Sequence, residues 1–338
     1  MFEIDFWQVS ISEKSADAIT ARWTRPDTSR MAVVVIDAGF TEFGNKVADE
    51  VEARYGTSDV DLVVSTHPDR DHIEGLALVL ERLNVGELLI HIPRLHGYTQ
   101  DAVGGGRADE LVHIAARRGT KVTEPFTGDV FLGGILTVAG PTPEYYRQLL
   151  QEQVTGVAAA KLLGRRALAG ARRIALKILR DEPPETLIDD QGGTTARNNS
   201  SVILNVFADA QRFLFTGDAG VPALSQAADY MDARGLSANP INFLDVPHHG
   251  SHHNVDPVVL DRLLAPSRAV GISPTAFISS SDKDEDHPSP RVLNALKRRD
   301  CRVFTTEQGS ILHSSADAPP RLDYHALSPM PWVDESEE

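Results

Sequence analysis

Cysteine is nearly absent from this chain: 338 residues hold one, Cys301. A single thiol excludes an intrachain disulfide and any multi-cysteine zinc site, and its setting in "CRVFTT" predicts a packed thiol on a buried strand rather than a nucleophile. Long apolar runs are missing as well. No stretch reaches the roughly 20 apolar residues that a membrane span needs. The N-terminus "MFEIDFWQVSIS" lacks a basic segment followed by an apolar one, so a cytoplasmic location is expected. Positive charge is scarce, with 33 Lys and Arg against 48 Asp and Glu and a net charge of -15. That balance argues against attraction to a polyanion over the whole surface and leaves any nucleic-acid contact to a local basic patch.

What is present reads as a folded globular chain, with 41% hydrophobic and 24% charged residues and a length that suits one large domain or two small ones. β-branched, strand-like runs recur at 31–39, 61–66, 87–93, 135–141, 201–207, 212–218, 241–247, 276–280 and 301–306. Helical patterns at 74–83 and 290–299 separate some of them. The mixture predicts a layered α/β architecture with sheets covered by helices. Residues 144–180 break the rhythm: they show no strand pattern, are rich in Ala and Leu, and carry eight basic residues against Glu144 and Glu152, a net +6. A basic helical insertion over 144–182 is expected. Its charge suits a solvated helix face, a phosphate-binding surface beside the active site, or a dimerisation helix. The Pro-rich, finally acidic stretch 316–338 is expected to wrap the surface as a tail or to be partly disordered.

Three strand ends carry ligand-type side chains. After the run ending at Thr66, "HPDRDH" places His67, Asp69, Asp71 and His72 in one short connection, and imidazole nitrogens with carboxylate oxygens suit zinc, manganese or iron. A solvated polar loop whose aspartates cap the following helix is the alternative reading of that loop by itself. "LFTGDAG" ends a second strand at Asp218, and "LDVPHHGSHHN" follows a third with His248, His249, His252 and His253. Any one of these could be an ordinary turn. Their combination points to a shared metal.

In this order the motifs resemble the metallo-β-lactamase fold, whose usual signature is H-x-H-x-D-H followed by His, Asp and His. The chain departs from it in two places. Asp69 stands where the second histidine is usual, and "RNNSSVIL", with Asn199-Ser200 leading into a strand, stands where the third is expected. Both departures, together with "VPHHGS" and "DHPSPRVLNAL", resemble the soluble hydrolase domain of ComEC-type competence proteins, which handle DNA. The resemblance covers roughly residues 1 to 313, with an entry motif reduced to "SADAI" around Asp17.

The resemblance implies an αββα sandwich over 1–315 with the 144–182 insertion. It also implies two divalent ions, zinc or manganese. His67, Asp69 and Asn199 would face one ion, Asp71 and His72 with His249 or His248 the other, and Asp218 would bridge. His249 is favoured over His248, whose ring would then orient substrate or support the ligands. Asp37 would support the metal loop by hydrogen bonds, and Ser200 and Ser251 would contact substrate. His287 would donate a proton to the leaving oxygen or touch a phosphate, unless it only precedes the helix that starts at Pro290. Asp71 and His287 are thus the expected catalytic groups, and two ions sharing a water would supply hydroxide for in-line attack. A phosphodiesterase or nuclease acting on DNA or a related phosphodiester is the expected activity. A small-molecule ester, lactone or cyclic nucleotide hydrolase and a non-catalytic metal-binding regulatory module are the alternatives.

Overall fold

The computed structural model describes the chain apart from residues 12, 100–102, 157–177, 189–192, 322–323, 325–326 and 336–338. Two seven-stranded sheets occupy its centre. In chain order the first holds β1 (Phe2–Phe6), β2 (Ala18–Thr24), β3 (Met31–Ala38), β4 (Asp59–Val64), β5 (Asn84–Leu89) and β6 (Lys121–Thr123). The second holds β7 (Val130–Phe131), β8 (Leu136–Gly140), then β10 (Ile203–Ala208), β11 (Gln211–Phe215), β12 (Ile241–Asp245), β13 (Thr275–Ile278) and β14 (Arg302–Thr305). A late strand, β15 (Ile311–Ser314), returns to pair antiparallel with β1. Strands β3 to β6 run parallel, as do β11 to β14.

Helices cover both outer faces. α1 (Gly44–Glu50), α2 (Arg70–Ile73), α3 (Leu76–Arg82) and α4 (Gly105–Arg118) belong to the first half. α5 (Pro143–Thr155) precedes α6 (Val221–Ala233), α7 (Pro257–Ala269) and α8 (Pro290–Arg298) in the second. The order of layers follows from side-chain alternation along the strands. In β3, Ala32, Val34 and Ile36 join the core between the sheets, whereas Val33 and Val35 join the core shared with α1, α3 and α4. Phe213 and Phe215 of β11 likewise face the first sheet while Leu214 faces α6 and α7. Strands buried on both faces need unbroken apolar runs, and "MAVVVI" is one. Each such side chain stabilises the fold by about 1.5–3 kcal/mol.

The few aromatic residues concentrate between the sheets, where Phe2 meets Phe213 at 4.9 Å and Phe6 meets Phe277 edge-on at 5.3 Å between ring centroids. The architecture is thus helices, sheet, sheet, helices: the expected αββα sandwich. All nine apolar runs singled out in the sequence coincide with strands. Cys301 is a buried, packed thiol at the start of β14, pushed up to about 12 by burial.

One expectation is corrected. The segment 144–182 is not strand-free: α5 covers its first part, and β9 (Ile178–Leu179) pairs with β16 (Trp332–Val333). Lys161, Arg165, Arg166, Arg172, Arg173 and Lys177, which give the segment most of its charge, lie outside the described residues. The stretch after 315 also has an ordered, docked part, since Met330 N–H bonds Val303 O and Asn294 donates to Val333 O and to Glu335.

Candidate metal centre

Parallel strands deliver their carboxyl ends to one place, and in layered α/β proteins such ends carry the binding groups. β3 carries Asp37 next to its last residue, β4 runs into Thr66-His67, β11 into Gly217-Asp218, and β12 into His248-His249. The two sheets join here through a backbone bond. Thr66 O accepts from Val202 N at 2.9 Å, and within the second sheet Gly217 O accepts from His248 N at 3.1 Å, which ties the Asp218 turn to the histidine pair. Gly217 has φ +49, and a Cβ on it would lie 3.0 Å from the Thr66 side chain, so only glycine fits without displacement.

Asp69 is the residue before α2, yet its carboxylate does not cap that helix. It pairs instead with Arg197 at 2.6 Å and lies 3.6 Å from His67 Nε2. The helix-capping account of the loop is therefore wrong for this residue.

His67, His72 and Asp218 bring ligand atoms within 4.8 Å of one another, and so do Asp71, His72 and His249. His72 Nε2 is 3.2 Å from Asp218 Oδ1, His67 Nε2 is 3.4 Å from Asp218 Oδ2, and His249 Nε2 is 3.7 Å from Asp71 Oδ2. The opposite ring nitrogens are already engaged. Asp37 Oδ2 takes the His72 Nδ1 proton at 2.7 Å, Ser279 O that of His249 at 2.9 Å, and Thr66 Oγ1, which itself donates to Asp37, that of His67 at 3.1 Å. Each Nε2 lone pair is left pointing inward. These three Nε2 atoms and Asp218 Oδ1 are buried with no hydrogen-bond partner. Orphaned acceptors under burial are costly, and a divalent cation is the group that such a donor set fits.

Electrostatics agree with that fit. Burial disfavours charge on His67 and the neighbouring His72 opposes it further, but Asp218 and Asp69 outweigh both and push its pKa up to about 9. His249 is driven up to about 9 against burial by Asp17, Asp71 and Asp218. The carboxylates thus favour positive charge at this spot. Burial would raise Asp218, yet His72, His248 and His67 hold it well below the usual range. Asp17 and Asp245, both buried nearby, are raised by desolvation first; Asp17 repels Asp245 and Asp218 repels both.

Of the residues singled out in the sequence, the structure gathers His67, Asp69, Asp71, His72, Asp218, His248 and His249, with Asp37 behind His72. His287 stands on the wall of the same cleft, its ring 5.4 Å from that of His248 and its Nδ1 3.3 Å from Asp284. The cleft holds about 440 Å³, and Lys14, Arg107 and Arg197 share its lining. Three residues are not part of this gathering. Asn199 Oδ1 accepts from Gly220 N–H at 3.2 Å, so its carboxamide serves the turn after Asp218. Ser200 gives its hydroxyl to Arg197 O at 2.6 Å, and Ser251 is a buried turn residue; neither lines the cleft. Residues that sequence reasoning missed include Arg197, Asn254 and Asp284. Asn254 donates to Asp218 O at 2.7 Å, and Asp284 accepts from Ser15 Oγ at 2.6 Å. Arg197 and Asn254 are not ligand types, and Asp284 lies in the acidic run Asp282 to Asp286 just before His287, a signal that the sequence reading passed over.

The sequence model of the metallo-beta-lactamase superfamily matches residues 29–257. The chain belongs to that superfamily. Its members are metal-dependent hydrolases, which accords with the donor set just described. Similar solved structures include a protein of Thermotoga maritima described as a candidate metallo-beta-lactamase, at 12% identity over 72% of this chain and 94% of that one, TM-score 0.37. A Cronobacter sakazakii metallo-beta-lactamase with a HARLDQ motif is similar at 11% identity over 87% and 91%, TM-score 0.36. A beta-lactamase from Chitinophaga pinensis is similar at 13% identity over 84% of each chain, TM-score 0.34. No curated protein matches the chain in sequence. Among the described residues no helix is long and apolar enough to cross a membrane.

Proposed function

We propose that this chain is a metal-dependent phosphodiesterase, acting on nucleic acid or a related phosphodiester with two divalent ions, zinc or manganese. The observation that carries the reading is the set of inward-facing, unpartnered Nε2 atoms of His67, His72 and His249 around Asp218, opening on a cleft. His67, Asp69 and Asp218 would hold one ion, and Asp71, His72 and His249 the other. When bound, such ions supply Lewis acidity and lower the pKa of water. The chain's own groups do the rest. Arg197 fixes the Asp69 carboxylate, Asp37 holds the His72 ring, and Asp284 orients His287 toward the cleft as a proton donor to the departing oxygen. The recurrence of the ComEC-type motif order, and the Lys14, Arg107 and Arg197 side chains on the cleft, support a phosphate-bearing substrate.

A second reading, hydrolysis of a small ester, lactone or cyclic nucleotide, is favoured by the net charge of -15 and by a cleft of small-molecule size. The test is metal analysis of the purified chain with a panel of single-stranded DNA, duplex DNA, RNA, a chromogenic phosphodiester, a lactone and a cyclic nucleotide. Turnover of the nucleic acids, lost in Asp71→Ala and His72→Ala proteins that remain folded, supports the proposal. Equal rates in the wild type and both variants remove it, and turnover confined to the small substrates selects the second reading.

A further inference from the structure

The family signature places a third histidine where this chain has Asn198-Asn199, and neither asparagine replaces it. Asn199 Oδ1 is occupied by Gly220 N–H. Asn198 Oδ1 accepts from Thr195, while its Nδ2 lies against the ring of His248, 3.2 Å from Nδ1. His248 itself approaches the centre. Its Nε2 is 3.6 Å from Asp218 Oδ2, the same oxygen that faces His67, whereas His249 is turned to Asp71 on the other side.

Two backbone features make this division possible. His248 and His249 have φ of +50 and +55, a left-handed conformation at two successive residues that carry a Cβ. Each costs about 1–2 kcal/mol, and such strain persists only where the surroundings enforce it. The result is two adjacent rings tilted 59° apart with centroids 5.8 Å apart, one directed to each half of the centre.

Asn254 then decides which nitrogen His248 presents. Its Nδ2 donates to Asp218 O at 2.7 Å, which fixes the amide orientation, so Oδ1 is the atom 2.8 Å from His248 Nδ1. This shorter contact favours the proton on Nδ1 over the competing Asn198 Nδ2 donor at 3.2 Å. The lone pair is on Nε2, the atom aimed at Asp218.

We infer that His248 is the ligand that replaces the missing histidine, completing the His67, Asp69 and Asp218 half of the centre, with Asn254 as its positioning residue, while His249 serves only the Asp71 and His72 half. This rests on the metal reading proposed above, and the test separates the two. Metal content is measured on the wild-type chain and on His248→Ala, His249→Ala and Asn254→Ala after zinc or manganese loading, by elemental analysis and titration calorimetry. The folded state of each is checked by circular dichroism. Expected are two ions in the wild type, one in each histidine variant, and none tightly held in the double variant. Asn254→Ala keeps two ions, with one bound about 10–100-fold more weakly. Nitrogen-15 NMR of the metal-free chain should show His248 protonated at Nδ1, and in Asn254→Ala a mixture of tautomers. Two ions with unchanged affinity in His248→Ala overturn this inference and leave the two-metal reading standing; a wild type that binds no metal overturns both. Should His248→Ala fail to fold, His248→Gln and the tautomer measurement decide in its place: an Nε2-protonated His248 overturns the assignment.

Discussion

At the scale of single residues, the metal centre depends on side chains that never touch a cation. Asp37 accepts from Thr66 N, Thr66 Oγ1 and His72 Nδ1, and so ties the β4 loop to the end of β3. Asp37→Ala should weaken metal affinity about 10–100-fold with the ligands intact, measurable by competition with a fluorescent chelator. A second residue-scale prediction lies away from the centre. Asp5 is buried between the hydroxyls of Tyr55 and Tyr324, and burial outweighs them and Arg321, raising its pKa to about 6. Because the folded value exceeds the ordinary one, the folded chain binds the extra proton, and stability is lost as pH rises from about 4 to 6. The loss from this group is about 3 kcal/mol at most. The stability of Asp5→Asn relative to wild type should therefore rise through that window and level off above it, as read from urea midpoints at a series of pH values; a flat difference would refute the account.

At the scale of elements, the metal loop works because a helix break follows it. α2 ends at Ile73 and α3 begins at Leu76, with Gly75 between them packed on the end of β3, where a Cβ would sit 2.1 Å from Ala38 O. Gly75→Ala should destabilise the chain by about 1–3 kcal/mol and also loosen metal binding, visible together in thermal unfolding with and without zinc. The sequence analysis recognised the loops because ligand types crowd into short runs after apolar strands, and it recognised the doubly buried strands because they are uninterrupted. It did not find β1 and β2. "FEIDF" interrupts its apolar residues with two charges, yet Glu3 and Asp5 are both buried, Glu3 against Arg22 and Arg321 and Asp5 against two tyrosines. Partners more than 300 residues away, such as Arg321 and Tyr324, decide that burial, and local pattern cannot see them. Arg197 escaped because its partner, Asp69, is 128 residues away, and Asn254 because an amide is not a ligand type.

At the scale of the whole molecule, the centre is composite. The first sheet supplies His67, Asp69, Asp71 and His72, the second supplies Asp218 and the paired histidines, and the join is the Thr66 to Val202 contact. A ligand bound only by the folded state stabilises it by mass action, about 2.7 kcal/mol at a hundredfold excess over its dissociation constant. Chelation should therefore lower the melting temperature of the loaded chain and zinc should restore it, with His72→Ala showing a smaller response.

Since the nitrogen and oxygen donors come from both slabs of the sandwich, a captured ion acts as a rivet through their seam. Shear between the slabs, or the peeling away of one, would break that coordination. Retention of metal during gradual denaturation then becomes a gauge of whether the two halves of the chain are still docked.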